Sequence, residues 1–234
     1  MASLWSAARY AAVVKALIFD LDGTLVDTVY GHVFAWQQVL GEAGIHIEAW
    51  KIHRMIGMSG GLLVKAVARQ VGHELPAQQV EALQKRHGTV YKELLPNRRP
   101  LPGAVDLLRH LRDARIAFAI ATSGKREDVT PSLLALNVPD DVIVVDRSDV
   151  ERAKPEPDLF LAGQKRLKIP PDECYVVGDS VWDLLAARRA GMLGVGVLSG
   201  GYGEQELAQA GAYRVYQDTA DLLSSIYQLG LRSA

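Results

Sequence analysis

Cysteine is almost absent from this chain of 234 residues. Cys174 stands alone, so no internal disulfide can form, and its place at the head of the apolar run Tyr175, Val176, Val177 makes it a small packed hydrophobe. A reducing, cytoplasmic setting is the expectation. Long apolar runs are missing as well: the longest near the N-terminus, residues 11–19, is interrupted by Lys15 and closed by Asp20, far short of the ~20 residues a membrane helix needs. Neither sign of charge dominates. Lys and Arg total 26 against 27 Asp and Glu, a net charge of −1, so no global positive field favours nucleic acid or an anionic membrane. Five of the six histidines, at 32, 46, 53, 73 and 87, fall in one stretch without the spacing of a zinc set. No internal repeat or low-complexity tract is visible, and Met1–Tyr10 reads as an extension without a function of its own.

What is present is a globular composition, 49% hydrophobic and 23% charged, long enough for a substantial core. Residues 13–19 form a continuous β-branched and aromatic run ending in Asp20, the pattern of a strand buried on both faces. Residues 30–96 then change to helical periodicity, with helices expected over 34–43, 62–71 and 76–95, stopped by Gly44 and Gly72 and opened by Pro76. After the polar, proline-flanked segment 96–100, helices over 103–114, 126–136, 157–167 and 181–190 alternate with strands over 116–121, 142–145, 174–177 and 194–197, and helices close the chain at 205–210 and 220–229. Alternation of this kind requires a mostly parallel sheet with helices on both faces. The expected fold is α/β: a Rossmann-like core of residues 1–29 and 97–234, with an all-helical insert, 30–96, after the first strand. The insert carries a net charge of +2 and the remainder −3.

Ligands of open parallel sheets bind beyond the carboxyl ends of the strands. There the first strand reads Asp20-Leu21-Asp22-Gly23-Thr24, placing two carboxylates on one side of an extended chain ahead of a glycine turn. The strand ending at 177 continues Gly178-Asp179-Ser180, with Asp183 one helical turn later. Carboxylates gathered at such a place repel one another and call for a cation; an oxygen-only donor set favours Mg2+. Two other strand ends suit an anion. Thr122-Ser123-Gly124 offers a hydroxyl and backbone N–H groups at a helix start, and Lys154 is fixed by the prolines of Lys154-Pro155-Glu156-Pro157.

These four segments, Asp20 to Thr28, Thr122-Ser123, Lys154 to Asp158, and Gly178-Asp179-Ser180 with Asp183, resemble the ordered motifs of the haloacid dehalogenase superfamily over about residues 20–200. The nearest branches are the phosphoglycolate phosphatase-like and β-phosphoglucomutase-like enzymes. The resemblance implies a Mg2+-dependent phosphatase acting on a small phosphorylated metabolite. Asp20 is then the nucleophile and Asp22 the general acid and base. Asp20, the Asp22 backbone carbonyl and Asp179 hold the metal, and Thr122, Ser123 and Lys154 hold the phosphate. Asp183 acts through water or Lys154. Asp22 itself separates the branches, because the carbon–halogen enzymes carry tyrosine there and the phosphonate enzymes alanine. In the insert, His32, Arg54 and Ser59 stand where such enzymes meet substrate, whereas Gly60 replaces the arginine with which the mutases hold a second phosphate.

Two other motifs fail on context. Gly57-Met58-Ser59-Gly60-Gly61 matches a serine nucleophile elbow, but no clear strand precedes it and no histidine follows His110. Gly124-Lys125 lacks the earlier glycine and the hydroxyl of a phosphate-binding loop. The rival readings are a phosphomutase with the same nucleophile, and an idle binding protein on this fold, which would have lost one of Asp20, Asp22, Lys154 or Asp179. Either a monomer or a homodimer through the helical insert suits the sequence.

Overall fold

The computed structural model describes residues 14–72 and 74–231. The N-terminal extension, the first residue of the expected opening strand and His73 lie outside them. Six parallel strands form one sheet in the order β3-β2-β1-β4-β5-β6: β1 (Ala16–Phe19), β2 (Ala117–Ala121), β3 (Ile143–Val145), β4 (Cys174–Gly178), β5 (Leu193–Val197) and β6 (Ala212–Tyr216). The central strand is buried on both faces because its side chains alternate between two cores. Leu17 and Phe19 pack with Leu107 and Leu111 of α5 (Ala104–Asp113). Ala16 and Ile18 pack with Phe160 of α7 (Asp158–Leu167) and Ala186 of α8 (Val181–Arg189). Burying one such Phe or Leu contributes about 1.5–3 kcal/mol.

The order reverses beside β1: the chain moves from β1 outward to β2 and β3, then returns to add β4 on the other side. Adjacent loops therefore diverge at the carboxyl ends of β1 and β4, the crevice in which this architecture binds ligands. The register sets Phe19 against Ile120 of β2 and Val177 of β4. Asp20, Thr122 and Asp179 consequently emerge at nearly one level.

Of the five helices between β1 and β2, the first four precede α5: α1 (Val29–Glu42), α2 (Ala49–His53), α3 (Gly60–Gln70) and α4 (Ala77–Leu94). They build a hydrophobic core of their own, with Val33, Val39 and Leu40 against Leu63, Val67, Leu83 and Val90. The two connections to the sheet run side by side, Asp27 N–H donating to Arg99 O at 2.9 Å and Leu101 N–H to Leu25 O at 2.9 Å.

The elements depart from expectation in four places. The first helix starts at Val29, five residues before the apolar period becomes regular at Phe34, because Tyr30 and Phe34 face solvent while Val29 and Val33 are buried. The short helix α2 follows no readable period. The last expected helix divides into α10 (Thr219–Ser224) and a 3-10 turn at Ile226–Leu229. Strand β6 was not expected: it is the sheet edge, Tyr213 and Arg214 are exposed, and only Tyr216 is fully buried, so its composition lacks the core-strand signature.

Cys174 heads β4 at 1% exposure, and burial, reinforced by Glu173 and Asp172, pushes its thiol up to about 12. Thiolate is the reactive species. An aromatic disulfide reagent at mildly alkaline pH is expected to leave the folded chain unmodified and to titrate one thiol in urea; rapid labelling of the native protein contradicts this packing.

Candidate active site

The strand-end loops converge on a buried group of charges. Asp20 follows β1 directly and is 5% exposed; Asp179 follows β4, and Asp183 lies in the first turn of α8. One carboxylate oxygen from each of these three lies within 4.8 Å of the others. Lys154, fully buried, donates to Asp20 Oδ1 and lies 2.8 Å from Asp183 Oδ1. The remaining donors lock each carboxylate. Thr24 Oγ1 donates to Asp179 Oδ1 at 3.0 Å, and Ser180 donates to Asp183 Oδ2 through its N–H at 3.1 Å and its hydroxyl at 2.6 Å. The Ser180 and Asp183 pair is also the capping box of α8, so one local device starts the helix and fixes a site carboxylate.

Three carboxylates face one ammonium, and the titration of Asp20, Asp179 and Lys154 follows from that imbalance. Burial, together with Asp183 and Asp22, raises Asp20 to about 7 against the pull of Lys154. Burial and the neighbouring Asp183 and Asp20 raise Asp179 well above the carboxylate range. Burial alone would lower Lys154, but Asp183 and Asp20 hold it above its ordinary value. A hard divalent cation fits the donor set, all oxygen and carrying excess negative charge. The close approach of the loops demands small residues. A Cβ on Gly23, which also has a φ of +88°, would lie 2.6 Å from Asp179 Oδ2, and one on Gly200 would overlap the same carboxylate.

Asp22 stands apart from this group. Its Oδ1 accepts from Thr28 Oγ1 at 2.7 Å and lies 3.6 Å from His32 Nε2, while its Oδ2 is 3.5 Å from Thr122 Oγ1. Burial pushes its proton affinity up, yet His32, Thr28 and Lys154 together bring it below the ordinary value. A cavity of about 1160 Å³ opens between the helices and the strand ends, and Asp20, Asp22, His32, Ser59, Ser123 and Lys154 all line it. Thr122 is fully buried behind that wall, where its hydroxyl accepts from Gly124 N–H at 3.1 Å. Asp179 and Asp183 lie below the cavity floor.

Arg54 departs from expectation. It does not line the cavity; its guanidinium pairs with Glu206 at 2.9 Å and lies over the Tyr202 ring at 4.8 Å, while its carbonyl accepts from Trp182 Nε1 and Tyr202 Oη. Arg54 follows the short helix α2, and the end of that helix meets the segments after β4 and β5, with His53 Nε2 at 2.7 Å from Gly200 O. Gly57 and Ser59 belong to a turn against the core, with Gly57 O facing Ser123 Oγ at 3.4 Å. The spacing missed His87, Trp36 and Tyr91, which line the cavity beside His32. His32 and Trp36 on α1, and His87 and Tyr91 on α4, are each four residues apart, a signal readable only once the two helix faces are known to meet.

A parallel sheet with an acidic group and a buried lysine at its switch point, roofed by helices inserted after the first strand, defines a class of α/β hydrolases. The chain belongs to the haloacid dehalogenase-like hydrolase family, whose model matches residues 14–191. Similar proteins include the β-phosphoglucomutase of Bacillus subtilis, 30% identical over 89% of this chain and 92% of its own length, and the phosphoglycolate phosphatase of Rhodospirillum rubrum, 32% identical over 89% of each. The crystal structure of a hydrolase from Pseudomonas syringae shares 46% identity at a TM-score of 0.89, covering 92% of this chain and 99% of that one. The matched family is one of hydrolases. Among the described residues, no helix is long and apolar enough to cross a membrane.

A raised carboxylate is more stable protonated in the folded chain than in the unfolded one. Metal-free protein therefore loses stability as pH climbs from the ordinary carboxylate value, 3.8, through about 7. Thermal melts of chelator-treated protein are expected to show Tm falling across this window, with a divalent cation restoring it at neutral pH. A Tm that rises over the same range, or that ignores the cation, contradicts the charge imbalance.

Proposed function

We propose that this chain is a Mg2+-dependent phosphatase that hydrolyses a small-molecule phosphomonoester through an aspartyl-phosphate on Asp20, with residues 30–96 acting as a cap over the core of 1–29 and 97–234. The observation that carries the reading is the placement of Asp20, Asp22, Ser123 and Lys154 on the wall of one cavity, with a further carboxylate pair behind Asp20.

Asp20 attacks phosphorus, and its new oxygen–phosphorus bond replaces the one to the leaving oxygen. Asp22 supplies that oxygen with a proton. Bringing a phosphate dianion beside Asp22 opposes its ionised form, which counters the effect of His32 and Thr28 and returns a proton to the carboxyl. Asp22 then takes a proton from the water that attacks the acyl-phosphate, releasing inorganic phosphate and regenerating Asp20. Lys154 and the Ser123 N–H hold the phosphate oxygens, and Thr122 orders the turn that presents them. Asp20, Asp179 and the Asp22 carbonyl would hold Mg2+, with Asp183 fixing Lys154. When bound, the ion offsets negative charge on the transferring group. The helical cap closes over the leaving group and excludes competing water.

Hydrolysis is favoured over transfer to a second phosphate position by the roof of the cavity. Position 60, where the mutases carry arginine, is glycine, and a Cβ there would meet the Gln84 amide at 3.3 Å and Trp36 at 3.1 Å, so this position brings no side chain to a second phosphate. Phosphate release from a panel of small phosphomonoesters is expected to depend on Mg2+ and to fall by at least about 10³-fold in Asp20→Asn, the scale of a lost nucleophile. Turnover without a divalent cation, or full activity in the variant, overturns the proposal.

A further inference from the structure

The scheme above leaves idle a pair of rings beside its proton donor. His32 Nε2 lies 3.6 Å from Asp22 Oδ1, and His32 Nδ1 lies 3.3 Å from His87 Nε2. Both rings are clamped by stacking. His32 lies over Tyr91 at 3.8 Å between centroids and 10° between planes, and His87 lies over Trp36 at 4.0 Å and 14°. Arg98, from the connection that follows α4, lies over Tyr91 at 4.3 Å. Trp36, Tyr91 and Arg98 are all buried, so neither imidazole can turn without opening the stack.

A hydrogen bond between the two rings needs one to donate and the other to accept, so a His87 that donates from Nε2 to His32 Nδ1 leaves the His32 proton on the Nε2 that faces Asp22. Thr28 reaches the same carboxylate oxygen at 2.7 Å. The carboxyl is thereby aimed from one side by a residue at the start of the helices and from the other by a ring on α1, itself held from α4. We propose that His87 is a positioning residue: through His32 it aims the Asp22 carboxyl at the leaving-group oxygen, so that proton donation requires α1 and α4 to be packed together over the site. The proposal rests on the reading of Asp22 as proton donor.

A misaligned donor penalises poor leaving groups, which need the proton, more than good ones, which depart without it. The experiment compares turnover of β-glycerophosphate, an aliphatic ester, with that of p-nitrophenyl phosphate in the full chain with Mg2+. Asp22→Asn is expected to lower the aliphatic turnover far more than the aryl turnover. His87→Phe, which keeps a flat ring for Trp36 but has no ring nitrogen, is expected to lower the ratio of aliphatic to aryl kcat about tenfold or more, and His87→Asn, which keeps a donor and an acceptor, to recover part of it. A ratio unchanged in His87→Phe, whether both rates fall together or neither falls, overturns the role of His87 while Asp22→Asn retains its leaving-group dependence. If Asp22→Asn itself shows no such dependence, the reading of Asp22 fails, and the role of His87 with it. Should the phenylalanine variant not fold, His87→Leu, which also lacks a donor and an acceptor, decides the matter: a ratio equal to that of wild type overturns the role of His87.

Discussion

Everything at this site depends on one imbalance of buried charge. Lys154 is the buried ammonium among Asp20, Asp179 and Asp183, and each carboxylate comes from a strand end or a first helical turn that the sheet forces together. Breaking a buried pair by removing one partner costs about 3–5 kcal/mol, because the other charge is left uncompensated. An arrangement so costly calls for a further positive charge, and an all-oxygen donor set suits a hard cation. The short side chains of Thr24 and Ser180 then appear in a consistent role: each spends its hydroxyl on a carboxylate and so fixes the geometry before any ligand arrives.

The helices and the sheet meet through polar contacts between two separate apolar cores. His53 reaches Gly200 O at 2.7 Å, Trp182 and Tyr202 both donate to Arg54 O, and Lys92 pairs with Asp128 at 2.7 Å across the cavity mouth. Such contacts are individually modest, and exposed pairs of the Lys92 kind contribute about 0–1 kcal/mol. Two cores joined by weak polar contacts of this kind suit the proposed closure of the helices over a substrate. Gly57 belongs to the same seam. Its φ of +98° and the 2.6 Å that would separate a Cβ from Ser180 Oγ explain the first glycine of the Gly-x-Ser-x-Gly match without a nucleophile.

Much of this was legible in the residues because the relevant signals are local. A run such as Ala16–Phe19 followed by Asp20 is a buried strand with an acid at its end whatever surrounds it, and the alternation of strand and helix after residue 100 leaves little choice but a parallel sheet. The edge strand β6 was illegible for the opposite reason: half its side chains face water, so tertiary pairing, not composition, makes Ala212–Tyr216 a strand. Arg54 and His87 show the same divide from the side of the site. Arg54 sits in a segment that pointed toward substrate, yet at the end of α2 it pairs with Glu206 beyond β5; His87 sits in no motif, yet two helix faces bring it to His32.

The sequence by itself determined the order of the elements, the two unequal parts of the chain and the kinds of group at each strand end, since periodicity and turn residues act within a few positions. Only the tertiary structure decided which carboxylates share one lysine, which hydroxyl faces the cavity and which is buried behind it, and that His32 is held by a second histidine. Those are contacts between residues 29 to 134 positions apart. They are set by the strand order and by the packing of α1 on α4, quantities that no local pattern encodes.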